Sequence, residues 1–319
     1  MIMSTQPTGS HTDESPRVDV VVVGGGPAGL SAALVLGRCL RSVWLFDSGR
    51  YRNGVSHAAH GYLSRDGVDP AELRRLGRAD LERYTTVQLR DLEVVDATTV
   101  DGGFVVSMAD GSSVQSRRLL LATGVRDHLP AFPGIHDLYG RGVWHCPYCD
   151  GWEQRGLPLA VYGSGAAGVA MALELTRWTT DLVVCTNGAQ LAPSDMARLE
   201  RHGICFRLEP VRRLDGDAAG LRAIQFVEGP ELLRRGLFFV TQEAQASPLV
   251  AQLGCRLNSG GTVETKENEA AGVPGLYVAG DASKAAQMVV VAAAEGAQAA
   301  AAINTSLMHD DLGLGGRYS

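Results

Sequence analysis

At 319 residues, with 45% apolar and 20% charged side chains, the chain has ordinary globular composition. It can bury a full core without disulfide or metal staples, and at roughly 150 residues per domain it makes two domains. A net charge of −6 argues against nucleic acid or an anionic membrane surface as its main partner.

Residues 1–17 are polar and lack the basic start and apolar segment of a secretory signal, so they read as a disordered leader. Residues 18–23 form a β-branched run that stops at Gly24-Gly25-Gly26-Pro27-Ala28-Gly29. A helix over 30–40, a strand over 43–46 and Asp47 follow, which completes one βαβ unit. A Gly-x-Gly-x-x-Gly turn lets backbone approach a pyrophosphate at the positive end of a helix. Gly24, Gly26 and Gly29 fit that turn. Asp47 lies near the spacing of about 20 residues expected for an acid that binds ribose hydroxyls. The bland alternative is a tight turn in an unliganded sheet.

The charged stretch 72–90 reads as a solvent-facing helix, and residues 104–110 with 113–117 as a hairpin around Asp110-Gly111. Apolar strands at 119–121 and 276–278 end in Ala122-Thr123-Gly124 and Ala279-Gly280-Asp281. Such endings suggest ligands held at a carboxyl sheet edge. A second unit follows: strand 159–162, the turn Gly163, Gly165 and Gly168, a helix over 169–178, and a strand over 182–185. Here the position of the acid is taken by Thr186 and Asn187, which are neither the acid that suits NAD nor the base that suits NADP. This second turn either binds a pyridine nucleotide or is a retained scaffold. The apolar stretch 288–294 stops at Glu295-Gly296, well short of a membrane span.

Between the two units lies Trp144-His145-Cys146-Pro147-Tyr148-Cys149-Asp150-Gly151. Two thiols at this spacing can close a disulfide, and one can be held as a reactive thiolate. Zinc is the rival, but a structural zinc site needs further Cys or His ligands at matching spacing, so no metal site is expected. Asp150 and His145 are the candidates for moving protons beside the sulfurs, with Asp150 preferred. The isolated Cys39, Cys185, Cys205 and Cys255 read as small buried hydrophobes.

The ordered set of glycine loop, Ala-Thr-Gly strand end, Cys-x-x-Cys-Asp-Gly, second glycine loop and late Gly-Asp resembles the low-molecular-weight thioredoxin reductase family of flavoproteins. The resemblance implies an α/β fold with two Rossmann-like, three-layer ββα nucleotide-binding domains, the class II pyridine nucleotide-disulfide oxidoreductase architecture. It implies a discontinuous FAD domain (18–127 and 247–319), an inserted NAD(P)-binding-like domain (128–246) carrying the CxxC, and a homodimer. Gly24, Gly26, Gly29 and Asp47 would hold the ADP half of FAD, and Thr123 and Gly124 would flank the cofactor. Asp281 would meet the ribityl-pyrophosphate region, and Gln287 the flavin pyrimidine edge. Pro27, Ala28, Ser48, Asn53, Gly280 and Met288 would add cofactor contacts. Cys149 would pass electrons to FAD, Cys146 would exchange with substrate, and Asp150 would serve as acid/base.

The departures point to one branch. Family members carry a His-Arg-Arg run for the NADPH phosphate where this chain has Thr186-Asn187-Gly188, and an Arg before the late Gln where this chain has Ala286. With Cys-Pro-Tyr-Cys preceded by His145, the chain is similar to the FAD-dependent dithiol oxidases that close disulfides in natural products of the gliotoxin and holomycin type. The expected reaction passes electrons from a small-molecule dithiol through the CxxC and FAD to O2, giving H2O2. The alternatives are an NADPH-dependent reductase of a thioredoxin-like protein and a non-catalytic flavin-binding redox sensor. Tyr51, Arg52, Asn53, His57 and His60 are candidates for lining the substrate pocket. A soluble, cytoplasmic protein without nucleic-acid or membrane partners is expected.

Overall fold

The computed structural model describes residues 15–314, so the expected leader lies outside the described residues up to position 14. Its last residues already join the fold: the Ser15 hydroxyl meets that of Ser113 at 2.8 Å, and Pro16 O accepts from Gln115 N. The first sheet runs Val87–Arg90, Val43–Phe46, Arg17–Val23, Ser113–Leu121, Gly103–Met108, Val94–Val100, with Leu276–Val278 also paired to Ser113–Leu121. The strand Arg17–Val23 is parallel to both neighbours, and Leu276–Val278 is parallel to its partner. Alternate side chains therefore feed two cores. Val20 and Val22 pack under the helices Pro27–Arg38 and Val289–Asp311, while Val21 and Val23 pack under the antiparallel strands that carry Phe104, Val106 and Met108. Helix layer, parallel sheet and antiparallel layer make the expected three-layer unit.

A second parallel sheet runs Cys205–Arg207, Leu182–Cys185, Leu159–Tyr162, Gly236–Phe239, Val143–Trp144, beside a three-stranded antiparallel sheet. The chain passes between the two assemblies along Val125–His128 and returns along Gln242–Gln245, and these strands pair as an antiparallel ribbon.

Several expectations change. The stretch read as one helix over 72–90 is a helix Pro70–Leu81 followed by the edge strand Val87–Arg90. Asp69 caps that helix by accepting from Ala71 and Glu72. Beyond it, Val87 and Leu89 alternate with Gln88 and Arg90, a period-two pattern that pairs with Val43–Phe46. The first helix starts at Pro27, whose fixed φ suits a helix start, and the second spans Gly165–Leu175. The hairpin around Asp110-Gly111 forms, with Gly111 at φ 86° and Ser107 opposite Ser113. Of the isolated cysteines only Cys185 is fully buried; Cys39 caps a helix end and Cys205 begins an edge strand, and both are exposed.

The helix Val289–Asp311 runs through Glu295-Gly296, where the apolar stretch ends as read from the sequence. Glu295 is buried and accepts the Gly280 N–H at 2.8 Å, and burial pushes its carboxyl up to about 7. A Cβ on Gly296 would lie 2.0 Å from the carbonyl oxygen of Ala28, so the two helices cross backbone to backbone there. Gly296→Ala should therefore lower unfolding stability by about 1–3 kcal/mol, the usual cost of overpacking. Chemical denaturation of the two proteins checks this, and an unchanged midpoint would remove the claim of a backbone crossing.

Candidate active site

The parallel register aligns strand ends. Val23 lies opposite Phe46 and Leu121, and Leu121 lies opposite Val278. Gly24, Asp47, Ala122-Thr123-Gly124 and Ala279-Gly280-Asp281 consequently share one carboxyl edge. At this edge the glycines are required by contact. A Cβ on Gly24 would sit 2.2 Å from Ala122 O, one on Gly25 2.1 Å from an Asp47 oxygen, and one on Gly29 1.8 Å from Gly24 O. Gly26, by contrast, faces open space, with nothing within 4 Å of its Cβ position.

Gly26 caps the Pro27–Arg38 helix, and no side chain accepts from the first turn. Free N–H donors at a helix start attract an anion. Nearby, the buried Thr123 hydroxyl has no partner. Open space at Gly26, uncapped donors and an orphaned hydroxyl on one edge are the features that a dinucleotide pyrophosphate would satisfy, so the residues fit FAD. Asp47 is 3% exposed and accepts from Gly49 N, the Tyr51 hydroxyl and Arg78. Ser48 is exposed, and Asn53 accepts from Arg74 at 3.0 Å.

The far end of the edge is organised by Arg52. Its guanidinium donates to Asp127 at 2.6 and 2.9 Å, to Asp281 and Glu243 at 3.1 Å each, and to the Gln287 side-chain oxygen. It also meets His145 Nε2 at 3.2 Å. Gln287 donates in turn to Glu243. Burial pushes the Asp281 carboxyl above its usual range, against the pull of Arg52. Burial would raise Asp127 too, but the hydrogen bond and charge of Arg52, with His145 and Tyr139, hold it below the usual range.

The CxxC follows the strand Val143–Trp144 and forms a disulfide, with Cys146 capping the short helix Pro147–Asp150. Cys146 Sγ accepts the Cys149 N–H at 3.1 Å, a contact that stabilises negative charge on that sulfur. Cys149 lines a cavity of about 300 Å³ with His60, Asp66, Tyr148, Trp152 and Glu153. Tyr148 and Trp152 are 67% and 65% exposed, an apolar wall beside the disulfide.

The two proton candidates differ in kind. Asp150 is pushed up to about 7 by burial first and the charge of Glu153 second, opposed by His60. It can therefore change charge near neutrality. His145 is held below its usual value, chiefly by burial, with Arg52 acting in the same direction and Asp127 and Glu243 against it. Since arginine only donates, His145 Nε2 must accept from Arg52. The ring proton then sits on Nδ1 and is donated to the Tyr139 hydroxyl at 3.0 Å, which donates to Asp127 at 2.8 Å. His145 is a neutral, fully bonded ring, and Asp150 is the free proton site.

The structure thus draws His145, Asp281 and Gln287 to one arginine, and Met288 lies 3.2 Å from the Cβ position of Gly61. Of the pocket candidates, His60 lines the Cys149 cavity. Asn53 and His57 line a separate cavity of about 380 Å³ with His136 and Arg141, and Tyr51 packs against Arg74. Arg52 lines neither cavity but sits at the centre of the cluster. Sequence reading missed Asp127, Tyr139, Glu243 and Glu295. Asp127 and Glu243 meet only because the ribbon sets them opposite each other, a pairing with no local signal.

The second glycine turn opens the Gly165–Leu175 helix, again with no side-chain cap, and the Cβ position of Gly165 faces open space. At the next strand end, Thr186 donates to Ala189 O within its own turn, and Asn187 Oδ1 accepts from Val211 N of the strand Val211–Asp217. Arg207, on the neighbouring strand, is held by Glu209 at 2.8 Å. Among the described residues no group of three or more His, Cys, Asp or Glu is placed to hold a metal ion. No described helix is long and apolar enough to cross a membrane.

Comparison with known proteins agrees with this architecture. The pyridine nucleotide-disulphide oxidoreductase profile matches residues 18–296. The thioredoxin reductase tcpT of Claviceps purpurea is 33% identical over 92% of this chain and 95% of its own length. A probable thioredoxin reductase of Arthroderma benhamiae is 38% identical over 191 residues, and the match spans 47% of that protein's length. Among solved structures, HlmI superposes with a TM-score of 0.86 at 34% identity, covering 93% of this chain and 94% of HlmI. An oxidoreductase of Agrobacterium tumefaciens gives 0.86 at 31% identity, covering 92% and 99%. The family is FAD-binding, and its members similar to this chain are oxidoreductases acting on sulfur groups. The chain therefore belongs to the pyridine nucleotide-disulphide oxidoreductase family, as a thioredoxin reductase-like disulfide oxidoreductase with FAD as its cofactor.

Proposed function

We propose that the protein is a dithiol oxidase that closes a disulfide in a small molecule, with O2 as electron acceptor and H2O2 as second product. The observation that carries this reading is the second strand end, where Thr186 is bonded within its turn, Asn187 Oδ1 is taken by Val211 N of the strand Val211–Asp217, and Arg207 is bonded to Glu209. These residues do not fit a nicotinamide cofactor's ribose or 2′-phosphate. The exposed aromatic wall and modest cavity beside Cys149 suit a small, partly apolar substrate.

In this reading a substrate thiol gives its proton to Asp150, and the thiolate attacks Cys146 Sγ, releasing Cys149 as a thiolate. The second substrate thiol gives its proton to the released Cys149 thiolate or to solvent, and its sulfur attacks the substrate sulfur of the mixed disulfide. Cys146 then leaves as a thiolate steadied by the Cys149 N–H, and a better leaving thiolate departs faster. Gly24, Gly26, Gly29, Thr123 and Asp281 would hold FAD, which when bound would supply the redox chemistry for return of the cysteine pair to the disulfide at the expense of O2. We assign 18–127 and 247–319 to FAD and 128–246 to an inserted unit, in a homodimeric cytoplasmic enzyme, and the ribbon pairing Val125–His128 with Gln242–Gln245 near the assigned boundaries supports the division.

The rival reading is a reductase, in which NADPH supplies electrons and a thioredoxin-like protein receives them from the CxxC. Retention of the Gly163, Gly165 and Gly168 turn with open space at Gly165 favours it. Anaerobic titration separates the two. The flavin absorbance should bleach with dithiothreitol and persist with NADPH; bleaching by NADPH alone would overturn the oxidase. Given a small-molecule disulfide, the free Cys146 thiolate of Cys149→Ser should form a mixed disulfide by exchange, releasing the other substrate sulfur as a thiolate, as mass spectrometry would read. A trapped adduct only on Cys149 in Cys146→Ser would reverse the two roles.

Asp150 sets the pH dependence. Its carboxylate form, which accepts the thiol proton, predominates above about 7, so dithiol-driven flavin reduction should rise with pH through that value. Asp150→Asn should slow the step roughly 10²–10⁴-fold and abolish that rise. A carboxyl raised by folding loses stability as pH climbs from its ordinary value through its raised one. Asp150→Asn should consequently melt higher than the parent at alkaline pH, and a lower melting temperature would contradict the burial argument.

A further inference from the structure

The ribbon register sets Asp127 directly opposite Glu243. Like charges facing each other across paired strands destabilise the pairing. Asp281 adds a third carboxylate within reach of the same point, and Arg52 joins all three. The Arg52 side chain is 15% exposed and Asp127 only 3%, so solvent does little of the neutralising. Arg52 comes from the loop after Val43–Phe46, Asp281 and Gln287 from the carboxyl edge, and His145 from the residue before Cys146. One guanidinium therefore touches the cofactor edge, both crossing strands and the segment that carries the disulfide.

We propose that Arg52 is a positioning residue that latches the CxxC segment to the cofactor end and fixes His145 as the neutral tautomer protonated on Nδ1. This rests on the reading that the cysteine pair passes electrons to bound FAD. Six acceptor atoms on five residues surround the rigid fork of an arginine, whereas a lysine is a point charge and cannot span them. The groups that face His145 are Arg52, Asp127, Glu243 and the Tyr139 hydroxyl, with Phe239 as its apolar ring neighbour. Remove Arg52, and the two carboxylates and the tyrosine remain. His145 Nε2 then loses its donor and becomes free to take a proton.

The test uses FAD-loaded protein labelled with 15N-histidine, the His145 signals being assigned by their loss in His145→Gln. In the parent protein His145 should stay neutral, with its proton on Nδ1, to below the ordinary histidine value of about 6.5. In Arg52→Met it should take a proton at a higher pH than in the parent. Anaerobic flavin reduction by dithiothreitol should slow roughly 10- to 100-fold in the same variant, as misplacement of reacting groups does. An unchanged His145 titration in Arg52→Met, or a parent His145 that titrates normally, overturns the proposal. Full rescue of both readings by Arg52→Lys also overturns it, since charge alone would then suffice. If Arg52→Met does not fold, Tyr139→Phe decides: it removes the acceptor of the Nδ1 proton and should shift the His145 tautomer signals, and unshifted signals sink the latch. Should dithiothreitol fail to reduce the parent flavin, the oxidase reading falls by itself while the histidine spectra still judge the latch.

Discussion

Parallel register is the constraint on which the rest of the molecule depends. Because Phe46, Val23, Leu121 and Val278 end level with one another, four loops that are remote in sequence open on one edge. Parallel strands need their crossovers on the faces, so the helices Pro27–Arg38 and Val289–Asp311 cover one side and the antiparallel strands the other. The edge is left open, with helix N–H donors aimed at it. The same arrangement recurs in the second sheet, where Leu159–Tyr162 leads into the helix Gly165–Leu175. Two edges of one design therefore exist, and side chains distinguish them rather than backbone.

Those side chains divide the labour at the disulfide between two groups with opposite electrostatics. His145 is kept uncharged by burial and by a permanent cation on its Nε2, so it behaves as a rigid hydrogen-bonding strut. Asp150 is kept near a neutral pKa by burial and by a like charge, so it is free to gain or lose a proton. A histidine beside a redox cysteine invites assignment as the base. Here the geometry favours the carboxylate, because the imidazole has both nitrogens engaged.

The parts legible in the sequence were those with local signatures. Strand, glycine turn and helix announce themselves within one short continuous segment, and the strand ends at Ala122-Thr123-Gly124 and Gly280-Asp281 carry the same mark of small residues after an apolar run. The stretch 72–90 misled because its charges suggest a solvated helix throughout, whereas the alternation at Val87–Arg90 spans only four residues and gains its meaning from pairing with Val43–Phe46. Exposed Cys39 and Cys205 were misjudged for a related reason. Residue type favours burial, but their places at a helix end and an edge strand override it. The Arg52 cluster was illegible. Its members come from positions 52, 127, 145, 243, 281 and 287, and only the ribbon and the two sheets bring them together.

That cluster also bears on how the two halves of the chain work as one. Asp127 and Glu243 are the residues at which the chain leaves and re-enters the first assembly, so any rotation of the CxxC unit must move both. In the arrangement described, their mutual repulsion is relieved by an arginine that belongs to neither strand. Separating Arg52 from them would return two carboxylates to face each other with little solvent around Asp127. The orientation that keeps His145 against Arg52 is therefore favoured by electrostatics within the protein.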